Sequence, residues 1–198
     1  MPLMTFPQPS VGPADLAWLR EKLVLDAEQA GLLDVAFRVA DTPVGPLLLA
    51  TTAAGLVRVA YVADGPDAVL DELSRRISPR VLGSPRRLDP VVRQLDEYFS
   101  GTRTHFDIPL DLRLAGGFRR EVITRLPDIA YGRTASYAEV AAAAGSPRAV
   151  RAVGTACAKN PLPVVVPCHR VVRSDGSMGN YVGGLEAKRV LLQLESAT

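Results

Sequence analysis

Apolar positions recur along the chain at two periods. Val35, Phe37 and Val39 alternate with less apolar neighbours, as do Val57, Val59 and Tyr61 after Gly55, and the run Leu47-Leu48-Leu49-Ala50 lies between them. That pattern predicts a small antiparallel sheet with hairpin-like joints, the first turned by Thr42-Pro43-Val44-Gly45-Pro46. Helical spacing replaces it over Pro66–Ile77, through Val69, Leu70, Leu73 and Ile77. A short strand is expected at Val81-Leu82, a helix opening at Asp89-Pro90 with Val92, Leu95 and Phe99, and a further alternating stretch through Phe106, Ile108, Leu110 and Leu112. Upstream, residues 1–13 hold four prolines and read as a loose lead, followed by a helix over Asp15–Leu33 with Leu16, Leu19, Leu23 and Ala27 on one face. That helix either packs on the neighbouring domain or makes an oligomer contact.

Beyond the Gly116-Gly117 joint the pattern becomes helical. Phe118, Val122 and Leu126 set one face, which Pro127 ends or bends. Ser136-Tyr137-Ala138-Glu139 fits a capping box that starts a helix to Ala144; Gly145 stops it, and Ser146-Pro147 is expected to start the next. On that second helix Val150, Val153 and Cys157 are expected to face inward. Arg148, Arg151, Thr155 and Lys159 form another face, with Ala149, Ala152, Gly154, Ala156 and Ala158 between. Two helices joined so tightly are a helix-turn-helix candidate. Small side chains allow the close approach that a minor groove about 6 Å wide demands, although taken alone such a helix is more often an ordinary alanine-rich surface helix with a solvated charged face.

The 198 residues are 47% hydrophobic and 22% charged, an ordinary globular composition. No apolar run approaches the ~18 residues of a membrane helix, and Met1–Gly12 lacks the signal-peptide pattern, so a cytoplasmic protein without membrane contact is expected. The net charge of +2 hides an asymmetry: residues 1–112 carry 11 Lys and Arg against 15 Asp and Glu, a balance of −4, and residues 113–198 carry 12 against 6, a balance of +6. A polyanion would prefer the second half. His105, Cys157, Cys168 and His169 are the only Cys and His residues, without a Cys-x-x-Cys pair, so no metal, cofactor or disulfide is expected.

Reactive chemistry concentrates in Pro167-Cys168-His169-Arg170-Val171, after the apolar run Leu162–Val166. A free cysteine, with a pKa of about 8.5, is mostly protonated at neutral pH and needs a base, for which His169 is the nearest candidate. Taken alone, such a cysteine is more often a small buried hydrophobe. The surroundings change the weighing. Asn160-Pro161, Pro163, the stretch Val164 to Val172, the run Gly179-Asn180-Tyr181-Val182-Gly183-Gly184, Lys188 and Glu195 together resemble the active-site region of the O6-alkylguanine-DNA alkyltransferases, from about Phe118 to Glu195.

The resemblance implies an α/β protein in three parts. Residues 1–33 would be an extension with one helix, 34–112 a ribonuclease-H-like α/β domain, and 113–198 a mostly helical, winged-helix-like domain with a helix-turn-helix that binds DNA and accepts the alkyl group. It further implies that Cys168 is the nucleophile, that Glu195 orients His169, which deprotonates Cys168 through a water, and that Asn160 and Lys188 support the thiol. Tyr137 would crowd the adjoining phosphate and protonate the departing guanine. Arg151 would replace the flipped base in the stack, with Ala138, Ser146, Ala149, Ala152, Gly154 and Ser174 also lying along the DNA. Val171, Tyr181, Val182 and Gly183 would line the base pocket. Val182 stands where relatives often carry a small or hydroxylated residue, so a backbone N–H would have to make that contact. On this reading a monomer acts once on O6-alkylguanine in double-stranded DNA, with O4-alkylthymine as a second candidate substrate.

Two other classes are compatible with the sequence. One is a binding protein without transfer, similar to the alkyltransferase-like proteins, which carry tryptophan where this chain has Cys168. The other is a cysteine hydrolase, although such enzymes usually bring the base from a distant segment.

Overall fold

A computed structural model describes residues 12–196, so most of the expected proline-rich lead, residues 1–11, lies outside the described residues. The first helix, α1 (Pro13–Gln29), ends where Gly31 takes a φ of 66°. It packs beside the segment Gly83–Arg86, with Ser84 Oγ donating to Glu28 at 2.7 Å and Arg86 pairing with Glu21 at 2.8 Å. Leu16, Leu19 and Leu23 of the expected apolar stripe stay exposed, as does Trp18.

The alternating segments form β1 (Val35–Ala40), β2 (Leu47–Thr52) and β3 (Gly55–Tyr61), antiparallel in that sequence. Helix α2 (Pro66–Arg76) carries the chain back to β4 (Val81–Gly83), which lies parallel to β1, so the sheet has the order β3-β2-β1-β4 and is mixed rather than wholly antiparallel. Strand β2 is buried along its whole length because both faces are covered. Leu48 and Ala50 meet Val69 and Leu73 of α2, while Leu47 and Leu49 join the larger core on the opposite side.

Helix α3 (Pro85–Phe99) crosses that opposite side. It begins four residues before the expected Asp89-Pro90 start. Pro85 occupies the first turn, where a missing N–H costs nothing, and Pro90 sits inside the helix. Burial of Leu88, Val91, Leu95 and Tyr98 holds the helix through the lost hydrogen bond. The stretch from Phe106 to Leu112 is not a strand. It touches β3 through one bridge, Leu56 to Leu110, and its last residue opens a short 3-10 turn, Leu112–Leu114.

The second half contains α4 (Phe118–Arg125), α5 (Tyr137–Ala143), α6 (Val150–Ala158) and α7 (Gly184–Ser196). Ser136 and Glu139 form the expected reciprocal capping box, and Gly145 takes a φ of 72° after α5. Ser146-Pro147 does not start α6. The Ala149 N–H bonds the Ser146 carbonyl in a separate turn, and the helix begins at Val150. One turn later than expected, the helix buries Val153, Ala156 and Cys157 and leaves Val150 exposed. A two-strand parallel pair joins β5 (Ala135–Ser136) to β6 (Val171–Val172). One continuous core runs from Leu47, Leu49 and Tyr61 through α3 into Val122, Val153, Val166 and Leu191, so the sheet supports the cysteine segment directly.

Candidate active site around Cys168

The chain reaches Cys168 through a constrained turn. Residues 160–172 are all buried, and Val164 takes a φ of 72°, a conformation that a β-branched side chain seldom accepts. Such strain persists only where the surroundings fix it. Here Asn160 does so: its Nδ2 donates to the Val166 carbonyl at 2.9 Å and to Cys168 Sγ at 3.2 Å, and its Oδ1 accepts from Leu162 N at 3.0 Å. The side chain that ends α6 thus ties the helix to the sulfur.

Cys168 is 2% exposed, and burial pushes its thiol up to about 11 against the opposing effects of the Asn160 N–H and the Lys188 charge. The resting sulfur is therefore protonated, the state from which the expected mechanism starts. At neutral pH only about one thiol in ten thousand would ionise unaided, so a base must take the proton. Cys157 is buried too, and burial and the neighbouring Cys168 push it up to about 12.

The imidazole of the next residue is the candidate base. His169 is fully buried, and Nε2 lies 2.8 Å from Glu195 Oε1. Nδ1 has no hydrogen-bond partner among the described residues. An ionised carboxylate accepts only, so Nε2 carries the proton and Nδ1 presents a lone pair. Burial lowers the His169 pKa, outweighing the pull of Glu195, and keeps the ring neutral.

Burial alone would raise Glu195. Hydrogen bonds from His169, Arg170 and Tyr98 outweigh it and bring the carboxyl down to about 2. Arg170 reaches both oxygens, at 2.9 Å and 3.0 Å, donates to the Ile129 carbonyl at 2.6 Å, and lies over the Tyr131 ring. Lys188, also fully buried, donates to the Val171 carbonyl at 2.6 Å and the Gly179 carbonyl at 3.3 Å, joining the segment that carries Cys168 to the glycine-rich run. Seven residues apart on α7 (Gly184–Ser196), Lys188 and Glu195 are both turned inward.

On the other side, β5 and β6 pair Ser136 with Val172 and so bring Tyr137 to the site. Tyr137 is half-buried, its phenol raised first by burial and then by Cys157 and Cys168. Its hydroxyl closes on Gly179, where a Cβ would overlap the ring. Tyr181 is buried edge-on to His169, with ring centroids 6.3 Å apart, and Val171 is buried while Val182 and Gly183 are half-buried. Around this cluster Ala138, Arg151, Ala152 and Ser174 are exposed, and Ser146, Ala149 and Gly154 are half-buried. Among the described residues no cluster of three or more Cys, His, Asp or Glu could hold a metal ion.

Two family models match consecutive parts of the chain. The 6-O-methylguanine DNA methyltransferase, ribonuclease-like domain, matches residues 35–112, and the DNA binding domain of the same name matches residues 117–197. The chain belongs to the 6-O-methylguanine DNA methyltransferase family. It is 41% identical over 167 residues to the methylated-DNA--protein-cysteine methyltransferase of Mycolicibacterium paratuberculosis, covering 81% of this chain and 92% of that one. The human protein of the same name is 37% identical over 161 residues, covering 78% and 77%. Two crystal structures are also similar, each at 37% identity and covering 82% of this chain and 93% of theirs. They are the Mycobacterium tuberculosis O6-methylguanine methyltransferase, with a TM-score of 0.73, and M. tuberculosis OGT in complex with DNA, with 0.71. Helix α1 falls before both family models.

Three site residues were not legible in advance. Arg170 follows the Cys-His pair but reads as one more arginine among 20, since Lys22, Lys159 and Lys188 are the only lysines among 23 basic residues. Tyr98 and Tyr61 lie in the α/β half, 71 residues before His169 and 120 before Tyr181 respectively. Only the shared core reveals them.

Proposed function

We propose that this protein repairs O6-alkylguanine in duplex DNA by moving the alkyl group to its own Cys168, once per molecule. The observation that carries the proposal is the sulfur held at 3.2 Å by Asn160 beside an imidazole whose Nε2 is engaged by Glu195. Nδ1 accepts the thiol proton through a water, the sulfur attacks the alkyl carbon in line, and the carbon–O6 bond breaks. Tyr137 supplies the proton that the departing guanine needs. The thioether formed is not hydrolysed by ordinary side chains, so the transfer is not reversed.

The damaged nucleotide must leave the stack, a cost of a few kcal/mol that an inserted side chain partly offsets. Exposed Arg151 on α6, flanked by Ala152 and Gly154, suits insertion from the minor groove. The rim from Gly179 to Gly184, with Tyr181, Val182 and Gly183, then closes over the base opposite Val171. We read residues 34–112 as the supporting domain and 113–198 as the DNA-binding and accepting one, working as a cytoplasmic monomer. Among the described residues no helix is long and apolar enough to cross a membrane.

The test is incubation with a duplex carrying radiolabelled O6-methylguanine. One label should appear per protein, on Cys168. Undiminished transfer in Cys168→Ala would refute the assignment.

A further inference from the structure

Glu195 is held by more donors than its partnership with His169 requires. Oε1 accepts from Tyr98 Oη at 2.7 Å, His169 Nε2 at 2.8 Å and Arg170 Nη2 at 3.0 Å, while Oε2 accepts from Arg170 Nε at 2.9 Å and Gly132 N at 3.3 Å. All but one of these donors belong to the C-terminal half. Tyr98 comes from α3, 97 residues before Glu195, and its hydroxyl also lies 3.5 Å from His169 Nε2.

We propose that Tyr98 is a positioning residue for alkyl transfer, by which the N-terminal α/β unit takes part in the chemistry: its hydroxyl shares Glu195 Oε1 with His169, fixing the carboxylate and restraining its hold on the imidazole. The proposal rests on Cys168 being the alkyl acceptor.

Oε1 has two lone pairs and three donors around it, so each donor weakens the others' claim. The groups facing His169 are Glu195 and Lys188 from α7, Tyr98 from α3, and Cys168, Arg170 and Tyr181 from the segments around the nucleophile; Tyr131 borders Tyr98 and Arg170. Lys188 and Arg170 both oppose a proton on the ring, and only Glu195 favours one. Whatever tempers Glu195 therefore sets the pH at which His169 can no longer serve as a base. The Tyr98 ring packs against Phe99, Phe106 and Tyr131, so phenylalanine keeps the packing and loses only the donor.

The test compares wild type with Tyr98→Phe in the rate of Cys168 alkylation by free O6-benzylguanine across pH, which leaves DNA contacts out. Losing the hydroxyl should move the acid limb upward by about half a unit or more, so the variant reacts roughly threefold slower on that limb, with the gap closing as pH rises. A superimposable profile overturns the proposal, as does a uniform loss at every pH, which is what mere destabilisation would give. NMR titration of the His169 ring makes the same comparison without any reaction and should show a higher pKa in the variant. If wild type fails to take the label at Cys168, the proposed function fails, and the titration still decides the role of Tyr98. Should Tyr98→Phe not fold, Tyr98→4-aminophenylalanine retains the ring with a weaker donor and should give an intermediate shift; no shift overturns the proposal.

Discussion

Asn160 Nδ2 lies 3.2 Å from Cys168 Sγ and 2.9 Å from the Val166 carbonyl, so one amide group both shapes the turn and touches the proposed nucleophile. Its two N–H bonds are spent on different tasks. Asn160→Ala should lower stability by about 2–4 kcal/mol, because buried partners lose their hydrogen bonds. It should also slow alkylation by about tenfold or more, since the sulfur loses a donor that favours its ionised form. Asn160→Asp is nearly the same shape but has no donor and places a charge beside the sulfur, so it should react more slowly than Asn160→Ala. Thermal melts with single-turnover rates on O6-benzylguanine check both, and an aspartate variant faster than the alanine one would contradict the electrostatic argument.

Acid should weaken both the fold and the reaction. Burial holds His169 below its ordinary value of 6.5, so between the two values the unfolded chain binds the extra proton. Stability from this group is full above about pH 6.5 and is lost as pH falls. Glu195 acts in the same direction at lower pH: with its carboxyl near 2 in the fold against an ordinary 4.5, its contribution is full above 4.5 and lost as pH falls toward 2. The melting temperature should decline on acidification below about pH 6.5, and the alkylation rate should fall once His169 protonates. His169→Phe should flatten the rate profile on that limb, at a much lower plateau.

The sequence exposes the sheet, α2, the capped α5 and the cysteine motif because each has a local signature. Alternation marks β1 to β3, Ser136 and Glu139 mark a helix start, and Lys188 and Glu195 share a face by simple periodicity. The failures share a different cause. Pro90 looks like a helix start locally, yet burial of Leu88 and Val91 extends α3 around it. Ser146-Pro147 has the chemistry of a cap, but the turn after Gly145 needs those residues. Tyr98 and Tyr61 carry no motif of their own, and their roles come from the shared core, which only three-dimensional packing assembles. Arg170 stands inside the cysteine motif, but nothing local points it at Glu195.

The glycines of the rim are spacing devices, and alanine should reveal what each makes room for. A Cβ on Gly183 would overlap the Tyr61 ring of β3, and one on Gly179 would overlap the Tyr137 ring. Both substitutions should destabilise by about 1–3 kcal/mol through overpacking. Their effects on chemistry should differ. Gly179→Ala displaces the proposed proton donor and should slow alkylation by about tenfold beyond any loss of folded protein. Gly183→Ala pushes the rim off the sheet and should chiefly weaken O6-benzylguanine binding. Separate rate and affinity terms from a concentration series distinguish the two.

Buried Lys188 offers a test of how the thiol is tuned. Its Nζ donates to the Val171 and Gly179 carbonyls, and its charge counters the effect of burial on Cys168. Lys188→Met keeps the length and removes the charge and the donors. The Cys168 thiol should then titrate above about 11, seen as a later rise of thiolate absorbance, and alkylation near neutral pH should slow by about tenfold. Rescue by Lys188→Arg should be poor, because a forked guanidinium does not fit where a single Nζ meets two carbonyls.

Arg151 stands apart from all of these residues. It is exposed on α6, outside the hydrogen-bond network of Cys168, His169 and Glu195, so its removal should leave the chemistry of the thiol unchanged. Arg151→Ala should react with free O6-benzylguanine at close to the wild-type rate. On duplex DNA carrying O6-methylguanine it should be slower by about tenfold or more, because the gap left by the flipped base goes unfilled. A lesion opposite a mismatch or an abasic site, where the base is already loosely stacked, should recover most of that loss. Raising the salt should weaken wild-type binding more steeply than variant binding, by about one counterion's worth of slope if the guanidinium also meets a phosphate. Equal losses on duplex and free base would mean that Arg151 acts on the pocket, and its assignment to base flipping would fall.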